Sequence, residues 1–187
     1  MARIINSTYI TLDGVIEGPH LWPSLDRPGD ERGGQIQTDL LLSCDAVLMG
    51  RHTYDGFAPA WSARSGDPYS DRINAMPKYV VSTTLEDPDW HNTRVIDGDV
   101  AARIRQLKQE STQDIVQYGY GPVTRLMLED GLLDELRLWV HPLILGRGSP
   151  SDLMFGESPA VGFHLTDATP LNSGIVILSY RTDEILD

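Results

Sequence analysis

The chain of 187 residues carries 27 acidic against 15 basic side chains, a formal net charge of −12. That charge argues against polyanionic partners such as nucleic acid or an anionic membrane. Ordinary apolar and charged fractions and this length suit one globular domain over residues 1–187 with a sizeable core.

Arg3–Leu12, rich in Ile, Thr and Tyr, reads as a strand ended by Asp13-Gly14. Val15–Gly34 holds Gly18, Pro19, Pro23, Pro28, Gly29, Gly33 and Gly34 and reads as a long loop of the kind that covers functional sites. Ile36 and Leu40 have helical spacing, which predicts a helix over Gln35–Ser43. Asp45–Met49 is the next strand, with Cys44 as inert core beside it. A lone cysteine cannot close an internal disulfide and points to reducing surroundings. No secretory leader is recognisable and no apolar run approaches the ~20 residues of a membrane helix, so a cytoplasmic protein is expected.

Arg51–Phe57 reads as a short helix, and Pro59–Asp67 as a polar loop containing Trp61. Tyr69–Ala75 is a helix stopped before Pro77. Lys78–Ser82 and Thr93–Ile96 are β-branched strands. Asp99 is placed to cap a helix over Val100–Glu110, with Val100, Ile104 and Leu107 on one face. After the strand Ile115–Tyr118, Pro122 suits the first turn of a helix and Gly131 its C-terminal cap. Glu135–Val140 alternates Leu136, Leu138 and Val140. The last third holds Leu143-Ile144-Leu145, Phe163–Thr166 and Ile175–Tyr180 with no helix between them. Strand–helix units followed by a strand-rich end predict an α/β sheet with an antiparallel C-terminal portion.

Two junctions carry the chemistry. The run Ala46-Val47-Leu48-Met49 ends in Gly50, and Arg51, His52 and Thr53 open a helix. A strand turning into a helix start presents backbone N–H groups that attract phosphate, and Arg51 adds a planar, permanently charged fork. Tyr118-Gly119-Tyr120-Gly121-Pro122 is a second such junction, though Thr124 stands where a dinucleotide fingerprint has its third glycine. Ser82 and Thr83 close the Lys78 strand, where hydroxyls suit either ribose and phosphate or plain turn chemistry. Asp13, Glu17, Glu31 and Asp39 are acids in or near the first loop that could supply or orient a proton. Tyr9, Trp22 and Trp61 could stack on a heterocycle or simply pack. His20, His52, His91, His141 and His164 lack zinc-like spacing, and most read as structural or surface residues.

The segments Tyr9–Gly14, Val47–Tyr54, Lys78–Thr83, Tyr118–Gly121, Gly131–Leu138 and His141–Gly148 together resemble the dihydrofolate reductase-like superfamily, and more closely its riboflavin-biosynthesis reductase C-terminal domain branch. They appear in that family's order and span nearly the whole chain. The resemblance implies a mixed, mostly parallel sheet flanked by helices and an NADPH-dependent reductase of a small heterocycle. The reaction it most suggests is reduction of 5-amino-6-(5-phosphoribosylamino)uracil. Gly50, Arg51, His52 and Thr53 would meet the pyrophosphate and the 2′-phosphate, and Ser82 and Thr83 the adenosine side. Gly119, Tyr120, Gly121 and Pro122 would cover the pyrophosphate. Thr8, Tyr9, Val15, Ile16 and Glu17 would lie near the nicotinamide, under a loop through Trp22.

The resemblance leaves Asp13 and Glu17 as catalytic candidates, and Trp22, Gln35 and Asp39 as substrate-binding ones. Arg147 is a candidate for a substrate phosphate. Gly34 stands where folate reductases carry their pteridine-binding acid, and Tyr120 where the family often has a small residue. The zinc signature of the family's deaminase half does not occur in these 187 residues. The family's habit implies a homodimer formed through the C-terminal strands. A dihydrofolate reductase-like activity and a non-catalytic nucleotide- or ligand-binding protein remain the alternatives.

Overall fold

In the computed structural model the strands are β1 (Ile4–Thr11), β2 (Cys44–Gly50), β3 (Lys78–Val81), β4 (Thr93–Ile96), β5 (Asp114–Tyr118), β6 (Glu135–His141), β7 (Val161–Pro170) and β8 (Val176–Ile185). The helices are α1 (Arg32–Leu42), α2 (Arg51–Trp61), α3 (Pro68–Ala75), α4 (Val100–Glu110) and α5 (Pro122–Glu129). The structure describes residues 1–25, 31–146, 148–154 and 160–185. The strands form one sheet in the order β4-β3-β2-β5-β1-β6-β8-β7, the mixed α/β architecture expected. The chain divides into two compact units, Met1–Ile5 with Gly34–Tyr118 and Asn6–Gly33 with Gly119–Asp187.

In the first unit β2 pairs in parallel with both β3 and β5, and β3 with β4. Parallel strands covered on both faces need unbroken apolar runs, and Ala46, Val47, Leu48 and Met49 are all buried. Cys44 is a buried free thiol, as expected. Val47, Met49, Val80 and Val116 meet Tyr54, Ile73 and Trp90 in the core.

Two helices of this unit are closed by side chains. Asp99 accepts the Ala102 N–H at the start of α4. Asp67 accepts the N–H groups of Tyr69 and Ser70 at the start of α3. At the other end of α3 the wholly buried Lys78 donates from Nζ to the carbonyls of Ile73, Asn74 and Met76 at 2.9–3.0 Å.

Two local expectations fail here. Helix α2 does not end at Phe57 but runs through Pro59 to Trp61. Phe57 packs on Tyr118 (ring centroids 5.3 Å) and Trp61 on Tyr69 (4.8 Å), and this packing outweighs the helix-breaking bias of Pro59. Helix α1 begins at Arg32, three residues before Gln35, so Gly33 and Gly34 are helical rather than loop. A Cβ on Gly33 would stand 3.0 Å from Leu171 Cδ1 and 3.6 Å from Trp139 Cζ3, a close approach that suits glycine.

In the second unit β8 pairs antiparallel with both β6 and β7. Strand β6 departs from the expected alternation: Leu136, Trp139 and His141 are its buried residues, while Leu138 and Val140 are half-buried. Strands β7 and β8 each run ten residues, longer than the apolar runs that announced them. Leu143–Gly146 is irregular, and a short 3₁₀ turn at Pro150–Asp152 follows, where no helix was expected. Helix α5 ends as its sequence predicts. Gly131 takes the left-handed conformation (φ 61°), and the N–H groups of Leu132 and Gly131 return to the carbonyls of Met127 and Leu128.

Candidate functional site

The parallel strands of the first unit end together: Gly50 lies beside Val81, and Met49 beside Tyr118. Carboxyl ends of parallel strands are where open α/β sheets bind ligands. Helix α2 starts at this edge. Its N-cap is Gly50, in extended conformation, with no side-chain cap and no acid in the first turn. The first backbone N–H groups of α2 therefore have neither an intrahelical nor a capping side-chain acceptor.

Arg51 donates from Nε to Asp55, one turn on, at 2.8 Å, and from Nη1 to Thr84 Oγ1 at 3.4 Å. Both partners of the Arg51–Asp55 pair keep about half their side-chain surface exposed (40% and 52%), so the pair is loosely held. His52 is exposed and Thr53 half-buried. The Thr84 contact brings the turn after β3 to the start of α2. In that turn Ser82 is buried, and its hydroxyl accepts from the N–H groups of Thr84 and Leu85, which is turn chemistry; Thr83 is exposed. Ser82 thus stabilises the loop, while Thr83 and Thr84 are exposed.

In the second unit Gly119 is left-handed (φ 78°), a conformation glycine takes without strain. Its carbonyl accepts from Asn6 Nδ2 at 2.9 Å and Thr124 Oγ1 at 3.4 Å, and Thr8 Oγ1 donates to Asn6 Oδ1 at 2.8 Å. Thr8 therefore acts on the glycine turn through Asn6. Gly121 is the N-cap of α5, again with no side-chain cap and no acid in the first turn; Pro122 opens the helix. Burial pushes the half-buried Tyr120 phenol above its ordinary value, with the Arg125 charge acting against the shift.

The loop candidates of this unit divide by what holds them. Asp13 accepts from Thr11 Oγ1 (2.5 Å), Gly146 N (2.9 Å) and Leu145 N (3.3 Å). These bonds hold its carboxyl below the usual carboxylate range, the Thr11 hydroxyl foremost. Asp13 is thus built as a pin for the 143–146 segment and fits poorly as a proton donor near neutrality. Val15 and Ile16 are tied by backbone bonds to Thr11 and Asp152, and Val15 is buried. Glu17 is exposed, and its carbonyl accepts the Trp22 indole N–H at 3.0 Å. Trp22 meets the His141 ring edge-on (5.2 Å), and Tyr9 lies 4.9 Å from the same ring. Gln35 and Asp39, by contrast, bond to each other along the exposed face of α1, an ordinary one-turn pair. Arg147 lies outside the described residues.

Asn6 and Lys78 are structural anchors that sequence reasoning missed, and His141 is a buried ring that it passed over. Asn6-Ser7-Thr8, a polar run inside a strand begun by Ile4-Ile5, was the available signal for the first. Cavities of about 580 Å³ (lined by Leu128, Leu133, Val161 and Thr182 among others) and about 280 Å³ (lined by Tyr54, Ala58 and Trp90 among others) touch none of the candidates. No helix among the described residues is long and apolar enough to cross a membrane.

The profile of the RibD C-terminal domain matches residues 2–177. The uncharacterized protein YyaP of Bacillus subtilis is 28% identical, over 96% of this chain and 94% of its own. A second uncharacterized protein of that organism, YwjB, is 29% identical over 75% of this chain and 77% of its own. Among solved structures, a candidate riboflavin biosynthesis protein of Shewanella sp. PV-4 superposes with a TM-score of 0.75 at 20% identity, covering 98% of this chain and all of its own. A diaminohydroxyphosphoribosylaminopyrimidine deaminase/5-amino-6-(5-phosphoribosylamino)uracil reductase of Thermotoga maritima gives 0.66 at 16% identity, over 97% of this chain but 57% of its own. The fold shared with these neighbours is the dihydrofolate reductase-like one. Over nearly its whole length, the chain belongs to the RibD C-terminal domain family.

Proposed function

We propose that the protein is a single-domain, NADPH-dependent reductase of a small heterocyclic substrate, most like the aminouracil ribosyl phosphate named for the Thermotoga relative. The observation that carries this reading is the start of α2, which has neither side-chain cap nor acid and carries Arg51 at its first position. A cation at the positive end of a helix is unfavourable by about 0.3–1 kcal/mol. A bound phosphate reverses that sign. The N–H groups, the exchangeable Arg51 fork and the hydroxyls of Thr53 and Thr83 are the donor set a phosphorylated nucleotide needs, so the residues fit the cofactor. Arg51 pairs best with a 2′-phosphate, which favours NADPH over NADH. In the second unit the start of α5 at Gly121 likewise has no side-chain cap and no acid in its first turn.

Bound there, the cofactor supplies hydride. The protein's part is to orient the heterocycle, with Tyr9 and Trp22 as stacking surfaces, and to exclude water. Glu17 is the remaining acid candidate of the loop. Gly34 brings no carboxylate to the helix start, so folate is not the physiological substrate. The chain works as a cytoplasmic homodimer, paired through its C-terminal strands. Support comes from β7, a ten-residue strand at the end of the sheet order with Leu165 exposed, and from Ile144, 74% exposed. Ile144→Asp should lower the mass read by light scattering from dimer to monomer; a wild-type monomer at micromolar concentration contradicts the pairing.

The decisive experiment is a fluorescence titration with NADPH, followed by turnover of the aminouracil ribosyl phosphate. Binding with turnover is the expected result. Binding without turnover of any reducible heterocycle would leave a nucleotide-binding protein without catalysis, and no NADPH binding would overturn the reading.

A further inference from the structure

His141 ends β6 with its side chain about nine-tenths buried (9% exposed). Its Nδ1 lies 2.8 Å from the Trp139 carbonyl oxygen. A carbonyl only accepts, so Nδ1 carries the proton. In the neutral ring Nε2 is then a bare acceptor, directed away from that carbonyl, and no described residue hydrogen-bonds to it. Nε2 is not among the fully buried side-chain atoms that lack a partner, so this acceptor is reachable from solvent. The ring's neighbours are aromatic: Tyr9 at 4.9 Å and Trp22 edge-on at 5.2 Å, with Trp139 in turn 5.6 Å from Tyr9. The His141 ring that carries this acceptor is thus flanked by aromatic rings. That is the chemistry that recognises a planar molecule with a polar edge.

We propose that His141 is a ligand-binding residue whose Nε2 accepts a hydrogen bond from an N–H or O–H on the edge of the planar substrate. The proposal rests on the reading of the protein as a reductase of a heterocycle and assigns a residue that sets which heterocycle. The Trp139 carbonyl fixes the tautomer, and the tautomer fixes the specificity. A ring edge bearing donors is accepted, and an alkylated edge is refused, because it would cover Nε2 and take it from water without offering a donor.

Electrostatics support the neutral form. Burial lowers the His141 pKa from its ordinary 6.5, the Trp139 bond acts against the shift, and no charged neighbour contributes. The titratable group facing it from β1 is the Tyr9 phenol; Trp22 and Trp139 carry no charge. Protonation below the lowered pKa turns Nε2 from acceptor to donor. Ligand affinity should therefore be full at neutral pH and fall as pH drops through that value.

The test uses 5,6-diaminouracil, a planar heterocycle rich in N–H groups, with 1,3-dimethyluracil, which has none, as control. Both are titrated into the ¹⁵N-labelled protein, alone and with NADP⁺. The histidine side-chain spectrum should show protonated Nδ1 and bare Nε2 before ligand, and a shift of the Nε2 signal on adding the diaminouracil but not the dimethyl compound. Affinity should be full at neutral pH and fall in acid, below the ordinary histidine value of 6.5. His141→Phe should weaken binding about tenfold and abolish the pH dependence, while His141→Gln, which keeps an acceptor, should retain part of the affinity. A proton on Nε2 in the neutral protein, no binding of the diaminouracil, or equal binding of the two compounds would overturn the proposal. NADPH binding, followed on the same samples, reports on the reductase reading separately.

Discussion

Helices α2 and α3 sit in the same unit and are built to opposite plans. Helix α3 is closed at both ends: Asp67 takes the N–H groups at its start, and Lys78 Nζ binds three carbonyls at its finish. Helix α2 starts on a glycine with no cap, carries a cation where the dipole is positive, and contains Gly56 and Pro59. By local rules α3 is the better-made helix and α2 the worse one. On the proposed function the difference separates scaffold from site. Where a side chain satisfies the orphan backbone groups, the helix serves the fold. Where no side chain caps them beside an arginine, the proposed function gives them a ligand to bind. That division can be broken at each end.

The largest effect is expected at the closed finish of α3. Lys78→Met leaves three carbonyl acceptors unpaired and should cost about 3 kcal/mol. That is a fall in Tm of roughly 6–12 °C for a chain of this size. NADPH affinity, measured on the folded protein, should be unchanged; a stable variant with impaired binding would show that α3 is not mere scaffold. Burial pushes the Lys78 ammonium down to about 8. The three carbonyls and the Trp90 face, 4.7 Å away, favour the charged form.

At the open start of α2 the expectation reverses. Arg51→Ala should leave stability close to wild type, since only an exposed pair with Asp55 and one long contact to Thr84 are lost. NADPH binding should weaken roughly ten- to a hundredfold, the value of a hydrogen bond between charged groups. NADH binding should change little. Equal losses for the two cofactors would remove the 2′-phosphate from the assignment.

The smallest effect is expected at the closed start of α3. Asp67→Ala removes a cap and should lower Tm by about 2–4 °C at neutral pH. The hydroxyl and N–H of Ser70, with the Tyr69 N–H, hold the Asp67 carboxyl below its ordinary 3.8. A depressed folded-state value means the stabilisation is full above 3.8 and is lost as pH falls through the lowered value. Thermal melts of variant and wild type should converge in strong acid; a constant gap would assign the effect to packing.

What could be read in advance follows the same division. The strand Thr93–Ile96, the Asp99-capped helix over Val100–Glu110 and the Pro122–Gly131 bracket around α5 match the structure because their signals are local. The helix read as Arg51–Phe57 continues through Pro59 to Trp61 because Phe57 and Trp61 find Tyr118 and Tyr69 across the fold, which local sequence does not announce. The glycine junctions at Gly50 and Gly119 were legible as turns into helix starts that lack a capping side chain. The roles of Asn6, Lys78 and His141 were not. Each depends on a partner fixed only by tertiary structure: the Gly119 carbonyl, the end of α3, and the rings of Tyr9 and Trp22. Asp13 shows the converse, since its neighbours suggested chemistry and its bonds to Leu145 and Gly146 make it a brace.

The claim that the uncapped start of α2 is a phosphate site is tested most directly by titrating 2′,5′-ADP into ¹⁵N-labelled protein and following backbone amides. The account predicts saturable shifts at Arg51, His52 and Thr53, with the capped starts of α3 and α4 silent. Silence at those three amides, or equal shifts at Tyr69, Ser70 and Ala102, would contradict it.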